Sequence, residues 1–264
     1  MPPGSRTTPG PADDRRPPSQ QIADDLRRSI ESAELAPSER VPSERELARQ
    51  YGTARNTARE AIRILSAEGL LVAEHGRGAF VRARGPLIRM SSDRYSPQHR
   101  DAALPPFRAE CARQGKEGRV EMLSVERTTP PSDIARRLDL ETDTESVVRR
   151  ESVSYADDDA VHRVTTWIPW RTADGTGLQH ADPGHPRGIY GVLEDQGHTM
   201  ARLREEVTAR MPTHDEQGYL RLPPGVPVLD VLHTSIDQAG EPYELTRFVM
   251  RADLSGLVYD APVE

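Results

Sequence analysis

The spacing of apolar residues predicts a helical module that begins shortly after the amino terminus. Ile22, Leu26 and Ile30 recur every four residues, so they form one apolar stripe on a helix that begins near Ser19. Residues 1–18 differ, because they contain six prolines, two glycines and almost no large apolar side chain. Such a segment buries too little surface to offset the entropy lost on ordering, and we predict a disordered tail.

Two more helices and a β-hairpin are predicted to complete this module. Ser43 begins the second helix, because Glu46 three residues later completes a capping box. Thr53 is predicted to cap a third helix, which Gly69 ends. Two short apolar runs on either side of the glycine-rich segment 74–78 predict the hairpin.

Beyond a proline- and arginine-bearing connector, the pattern predicts a mixed second domain. Strands are predicted near Val120 and Val125 and over 146–156, 160–168, 199–210, 227–237 and 242–251. Helices are predicted over 132–138, 187–195 and 213–220. This pattern favours an α+β domain built on an antiparallel sheet. The predicted division is a tail at 1–18, a helical module at 19–84, a linker at 85–105 and a second domain at 106–264.

Length and composition agree with two domains of modest size. The chain has 264 residues, of which 35% are hydrophobic and 5% aromatic, and this suits two small cores. The longest apolar run, Leu70 to Ala73, is far shorter than the roughly 20 residues that span a bilayer. The start of the chain lacks the pattern of a signal peptide, and the single cysteine, Cys111, cannot form an internal disulfide. We therefore expect a cytoplasmic protein, neither membrane-spanning nor secreted.

Charge is distributed unevenly along the chain. The formal net charge is -7, yet residues 40–84 carry nine arginines against five glutamates. Residues 86–264 carry 21 lysines and arginines against 30 acidic residues. A small basic segment joined to an acidic body is typical of proteins in which one part meets a polyanion.

The third predicted helix carries the candidate chemistry. One side of it holds Ala58, Ala61, Ile62 and Leu65, another holds Arg55, Arg59 and Arg63, and Asn56 and Thr57 lie near its amino end. Arginine bonds guanine or phosphate, asparagine reads adenine, and threonine binds phosphate or touches the thymine methyl group. These side chains at the start of a helix after a tight turn are typical of a DNA recognition helix. The arginine stripe alone also fits a solvated surface, but the basic balance and the hairpin favour duplex DNA binding.

Several segments of the module have the residues and spacing of a known family. They are Gln21-Ile22-Ala23-Asp24, Val41-Pro42-Ser43-Glu44-Arg45-Glu46-Leu47-Ala48, Tyr51-Gly52, Arg55, Thr57, Arg59-Glu60-Ala61-Ile62, Leu65, Glu68-Gly69-Leu70 and His75-Gly76-Arg77-Gly78-Ala79-Phe80-Val81. Over these segments, residues 20–82 resemble the winged helix-turn-helix domain of the GntR family of bacterial transcription regulators.

That resemblance implies a set of DNA contacts. Arg45 is expected at the DNA backbone or groove edge. The recognition-helix contacts that it implies are Arg55, Asn56, Thr57 and Arg59, and those of the wing tip at the minor groove are His75, Gly76 and Arg77. Ala54 stands where the family often has serine or threonine, so one phosphate hydrogen bond is expected to be missing.

The second domain contains a further set of family-like segments. They are Gly188-Ile189-Tyr190 before Leu193-Glu194, Glu206-Val207-Thr208-Ala209-Arg210-Met211-Pro212, Leu220-Arg221-Leu222-Pro223-Pro224-Gly225-Val226-Pro227-Val228-Leu229 and Gly240-Glu241-Pro242-Tyr243-Glu244. With these the domain resembles the UTRA-type effector-binding domain of the HutC branch. The resemblance implies a chorismate-lyase-like fold and dimerisation through this domain.

The resemblance also places an effector pocket. Relatives that sense amino-sugar phosphates have two arginines, two residues apart, where this chain has Ser152 and Ser154. Without the bidentate contacts of that pair, a sugar phosphate is not expected. Arg150 on the same strand face remains available for one anion or for a structural ion pair. Together with Tyr190 and Glu244, the two hydroxyls suit a neutral or cationic polar ligand.

The function expected from these features is that of a transcriptional repressor. One winged helix reads only a few base pairs, so we expect a homodimer on a pseudo-palindromic DNA operator, controlled by a small molecule. The sequence holds no motif of a nucleotide-, metal- or nucleophile-based active site, so neither a cofactor nor catalysis is expected. Two alternatives stay open: an enzyme of lyase-like fold, and a DNA-binding protein that responds to no effector.

Overall fold

A computed structural model describes residues 16–74, 76–82, 85–90, 104–141 and 145–260 of the chain. The chain forms two compact units, Met1–Arg84 and Gly85–Glu264. None of the helices in the described ranges is long and apolar enough to cross a membrane.

Three helices form most of the first unit, as the apolar spacing predicts. They are α1, Pro18–Glu31; α2, Glu44–Gln50; and α3, Arg55–Ala67. The capping box of α2 is confirmed, because the Ser43 side chain accepts from the Glu46 N–H and the Ser43 N–H donates to the Glu46 carboxylate at 2.8 Å. The predicted cap at Thr53 is wrong, since Ala54 is the N-cap of α3 and has no side-chain oxygen. Most of the predicted tail, residues 1–15, lies outside the described residues.

The predicted hairpin is confirmed after α3. Its strands are β1, Leu71–Glu74, and β2, Gly78–Val81, and they pair in antiparallel register. The loop before α2 extends this small sheet, since the Val41 N–H donates to the Ala79 carbonyl at 3.0 Å. One core unites the helices with the hairpin, and it contains Ile22, Ala23, Leu26, Val41, Leu47, Ala48, Ala58, Ala61, Leu65, Leu71, Ala79 and Val81.

The segment predicted as a linker contributes a strand to the second unit. Leu87–Met90 forms β3, which pairs in parallel with β10, Ser255–Val258. The linker prediction is wrong for these residues, because Leu87 and Arg89 are buried in the second unit. The flanking prolines and arginines concealed this short strand from pattern analysis. Residues 91–103 of the predicted linker lie outside the described residues.

A six-stranded antiparallel sheet is the framework of the second unit. Its strands are β4, Gly118–Thr128; β5, Val147–Ala156; β6, Asp159–Pro169; β7, Met200–Arg210; β8, Val228–Asp237; and β9, Pro242–Arg251. Their order in the sheet is β4-β5-β6-β9-β8-β7. The predicted α+β architecture is therefore confirmed.

Short elements cover both faces of this sheet. The helices are α4, Pro106–Arg113; α5, Ser132–Arg137; α6, Trp170–Ala173; α7, Ile189–Asp195; and α8, His214–Leu220, with a short 3-10 helix at Gly177–Gln179. On one face, Ile134 of α5 packs with Trp167, and Leu220 of α8 packs with Val249. On the other face, Leu193 of α7 packs with Ile168. The sequence pattern did not predict α4 or β10.

Candidate functional site

The first half of α3 presents polar side chains to solvent. Ala58 and Ala61 are fully buried on one side of the helix, whereas Arg55, Asn56 and Arg59 are exposed. The buried side packs α3 into the core of the first unit. The exposed side therefore offers guanidinium and amide donors to a molecule outside the protein.

Arg59 is paired with an acidic residue of the preceding helix. Its Nε and Nη2 donate to the two carboxylate oxygens of Glu44 at 2.8 and 3.0 Å, and Arg55 Nη2 lies 3.7 Å from the same carboxylate. This bidentate bond lowers the pKa of Glu44 and raises the pKa of Arg59. Since Arg59 is exposed, a phosphate can replace Glu44 at little energetic cost.

Arg45 and the hairpin add to the basic surface of the first unit. Arg45, near the start of α2, is exposed. In the turn between β1 and β2, the Arg77 guanidinium lies 5.4 Å from the centre of the Phe80 ring. Gly76 is exposed and adopts a φ of 75°, which few other residues tolerate. His75, the remaining residue expected at the wing tip, lies outside the described residues.

A cavity of about 680 Å³ lies on the second unit's sheet, on the face opposite α5 and α8. Arg150, Ser152 and Ser154 line it from alternate positions of β5, so all three point to one side. Tyr190 of α7 lines the same cavity. Four of the five residues expected at the effector pocket are thereby brought together.

Arg150 is a buried cation on the wall of the cavity. It is 4% exposed, and its guanidinium donates to the main-chain carbonyls of Leu178, His180 and Ala181. Burial lowers the pKa of Arg150 to about 10, an effect that the charge of Asp182 partly opposes. The side chain is therefore still cationic at neutral pH. Its Nε–H and one Nη2–H bond to none of the described residues and remain available to a ligand.

Glu244, the fifth expected residue, lies behind the wall rather than on it. It is fully buried and is absent from the cavity lining. The Tyr190 hydroxyl lies 3.4 Å from its Oε2, and the Thr246 hydroxyl donates to its other oxygen. Glu244 therefore bonds the side chains of the wall, with Tyr190 and Thr246 between it and the cavity.

Arginines outnumber acids on the cavity wall. The charged residues of the lining are Arg108, Arg119, Arg150, Arg187, Glu117 and Asp182. Arg187 is paired with Glu194, whereas Arg108 is exposed. With Glu244 behind the wall, these charges favour a ligand that carries an anionic group, in contrast to the neutral or cationic ligand expected from the sequence.

Sequence analysis missed several residues of the wall. Thr166 and Phe248 line the cavity from β6 and β9, and the Thr166 hydroxyl lies 2.7 Å from that of Thr246. Thr166 lies opposite Arg150 in the pairing of β5 with β6. Knowledge of the register between these two strands would have identified it. Phe107 comes from α4, for which the pattern gave no signal.

A helix with exposed arginine and asparagine side chains, followed by a hairpin, gives the first unit the form of a winged helix-turn-helix. Residues 18–81 match the family model described as "Bacterial regulatory proteins, gntR family", and residues 113–254 match the UTRA domain. The chain therefore belongs to the GntR family of DNA-binding transcription regulators and carries a UTRA domain, as in the HutC branch. Both matches point to a regulator rather than an enzyme.

Similar proteins share both parts of this chain. SCO4628 of Streptomyces coelicolor, an uncharacterized HTH-type transcriptional regulator, is 27% identical over 84% of this chain and 84% of its own. The HTH-type transcriptional repressor NagR of Bacillus subtilis is 27% identical over 88% of this chain and 90% of its own. The crystal structure of PhnF from Mycobacterium smegmatis shares the fold, with a TM-score of 0.60 and 20% identity over 92% of this chain and 100% of that one.

Proposed function

We propose that the protein is a repressor that binds a pseudo-palindromic operator as a homodimer and is controlled by a small molecule in the cavity of its second unit. The observation that carries the proposal is the cavity of about 680 Å³, lined by polar and apolar side chains, in a chain of a DNA-binding family. The name of the relative NagR, a transcriptional repressor, supports the direction of control.

The DNA contacts follow from exposure and chemistry. Arg55 and Asn56, at the exposed start of α3, read base edges in the major groove. Thr57, Arg59 and Arg45 contact phosphates, with Arg59 exchanging Glu44 for DNA. The hairpin turn, with His75, Gly76 and Arg77, enters the minor groove. Two copies on one duplex supply the specificity that a single module lacks.

The effector contacts are Arg150, Ser152, Ser154 and Tyr190, and Glu244 acts through Tyr190. We propose a polar organic acid as the ligand, with its anionic group at the two free N–H donors of Arg150. A charge-assisted bond of this kind is stronger than a neutral one. The serine hydroxyls bind neutral polar atoms of the same molecule.

Two experiments in sequence test this function. Selection from a random duplex library should return a pseudo-palindromic site, and a failure to enrich any sequence would contradict specific DNA binding. A thermal-shift panel of small organic acids, amines and neutral polyols then tests the cavity, because any ligand of the native state raises the melting temperature. Active compounds are retested for release of the selected duplex.

Matched variants locate the ligand. Ser152→Ala and Arg150→Gln should abolish the thermal shift and the release, whereas Arg136→Gln, on α5 and outside the cavity lining, should not. A panel in which only amines bind would contradict the proposed acid. An unchanged response in both cavity variants would place the effector elsewhere.

A further inference from the structure

A chain of buried hydrogen bonds begins behind the wall of the cavity. Glu244 accepts from the Thr246 hydroxyl, and its Oε2 lies 3.4 Å from the Tyr190 hydroxyl. On the other side, Ser235 Oγ lies 2.5 Å from the same Oε2. Glu244 and Ser235 have no exposed surface. The carboxylate therefore connects the side chains of the cavity wall with strand β8.

The chain continues across β8 and β7 to β3. His233 Nε2 lies 3.1 Å from Ser235 Oγ, and His233 Nδ1 lies 2.9 Å from Glu205 Oε1. The same oxygen of Glu205 accepts from Arg89 Nη1 at 2.5 Å. His233 and Arg89 are fully buried. Because buried charges are costly unless paired, breaking any one of these bonds affects its neighbours.

Glu205 fastens the small sheet of β3 and β10 to the six-stranded sheet. Its Oε1 binds Arg89 of β3, and its Oε2 accepts from the hydroxyl of Tyr259, directly after β10, at 2.8 Å. Arg89 also lies over the ring of Phe248, 4.6 Å from its centre, and Phe248 lines the cavity. Strand β3 is thus linked to the cavity in two ways, through the polar chain and through this ring.

The hydrogen atoms of this chain of hydrogen bonds can be arranged in two ways around Ser235. If Ser235 donates to Glu244, then His233 Nε2 donates to Ser235 while Nδ1 donates to Glu205, and the imidazole is cationic. If Glu244 holds a proton and donates to Ser235, then Ser235 donates to a neutral His233. Transfer of one proton from Glu244 to Ser235, with release of the serine proton to His233, interconverts the two at constant total charge.

We propose that this chain of hydrogen bonds couples the cavity to the bonds that fix β3 to the six-stranded sheet. A ligand that alters the bonds of Tyr190 alters those of Glu244 and, through Ser235, those of His233. His233 and Arg89 bind the same oxygen of Glu205, so a change in one of these bonds changes the other. Strand β3 begins two residues after Gly85, where the second unit begins. The bonds that fix β3 therefore control how the polypeptide leaves this unit.

The regulatory use of this coupling rests on the proposed function of the cavity as an effector site. The coupling itself can be tested without an effector or DNA. Hydrogen exchange of the full chain is measured on peptides that cover Leu87–Met90, with peptides of α8 as an internal reference. Glu244→Gln replaces an acceptor by a group that also donates, and we expect β3 to exchange about fivefold faster or more while α8 is unchanged. The control is Glu206→Gln, a neighbour on the other face of β7 that pairs with Arg137, and it should leave β3 unchanged.

Two milder variants test whether faster exchange in Glu244→Gln reflects a local change at β3 or a general loss of folding. Tyr190→Phe removes only the hydroxyl at the cavity, and Ser235→Ala removes only the link between Glu244 and His233. Each should speed exchange in β3 by about twofold or more without an effect on α8. The proposal is overturned if β3 exchanges as in the wild type, or if β3 and α8 change equally. Failure of duplex selection would instead contradict the proposed function and leave this result standing.

Discussion

The two candidate sites are constructed in opposite ways. In the first unit, the polar side chains stand exposed on one helix, and Arg59 is held by a surface ion pair with Glu44. In the second unit, Arg150 and Glu244 are buried and are bonded to main-chain carbonyls and to neighbouring strands. A surface site exchanges weak pairs for its ligand, whereas a buried site is part of the core. Substitutions should therefore change affinity in the first unit and stability in the second.

The largest expected effect is the loss of Phe248, which lines the cavity and carries Arg89 on its ring. Because Phe248 is buried, Phe248→Ala should lower the free energy of unfolding by roughly 3–5 kcal/mol. Arg55→Ala, on the exposed face of α3, should stay within about 0.5 kcal/mol of the wild type. Denaturant unfolding followed by circular dichroism measures both. Equal losses of stability would contradict the contrast between the two sites.

The second effect concerns DNA affinity. If Arg55 reads a guanine, Arg55→Ala should weaken binding to the selected duplex by roughly 1–3 kcal/mol and binding to random duplex by much less. Fluorescence anisotropy at fixed salt measures the two affinities. As a control, Arg28→Ala removes an exposed arginine of α1 and should change neither. An equal loss on both duplexes would make Arg55 a phosphate contact.

The same contrast explains what the sequence could and could not predict. The DNA-binding surface lies within one continuous stretch, so helix period and side-chain type place Arg55, Asn56 and Arg59 on the solvent side. The cavity is assembled from α4, β4, β5, β6, β9, α7 and the loop before α7, and its lining depends on strand register that the sequence does not show. The family resemblance points to Ser152 and Ser154, and the period of two puts both on one face of a single strand. Thr166 was missed because it lies opposite Arg150 on another strand.

Burial also explains two positions that differ from the sequence prediction. Glu244 is expected at the ligand because the family resemblance places its hairpin beside the strand of Ser152 and Ser154. The bonds to Ser235 and Thr246 instead hold it inside the sheet layer. The sequence predicts a linker where β3 lies, because the segment bears prolines and arginines, and the pairing partner β10 lies more than 160 residues further along the chain. Neither contact has a local signal in the sequence.

A third effect is the acid sensitivity of a partly buried ion pair in the second unit. Arg210 donates to both carboxylate oxygens of Glu216 at 2.7 Å and lowers the pKa of Glu216 to about 2, from an ordinary value of 4.5. A carboxyl group with a lowered pKa in the folded state stabilises the protein above pH 4.5, and this contribution is lost as the pH falls toward 2. Glu216→Gln should therefore cost roughly 1–2 kcal/mol at pH 7 and progressively less below pH 4.5.

Thermal unfolding of the wild type and of Glu216→Gln between pH 7 and pH 2.5 measures the difference in stability. Glu121→Gln removes an exposed partner of Arg119 and serves as the matched control, with an effect below about 0.5 kcal/mol. A cost of Glu216→Gln that stays constant across the acid range would show that the ion pair with Arg210 does not account for it.

The smallest expected effect tests whether the surface pair of the first unit is exchanged for DNA. Glu44 holds Arg59 and lies 3.7 Å from Arg55, so it competes with phosphate for both. Glu44→Gln removes this competition and should tighten binding to selected and random duplex alike, by about two- to fivefold at moderate salt. Glu68→Gln changes the net charge of the same unit equally but pairs with Arg27 of α1, and it should have a smaller effect. The difference between the two variants isolates the local contribution of Glu44. Weaker binding in Glu44→Gln would show instead that Glu44 holds Arg59 in the orientation that DNA requires.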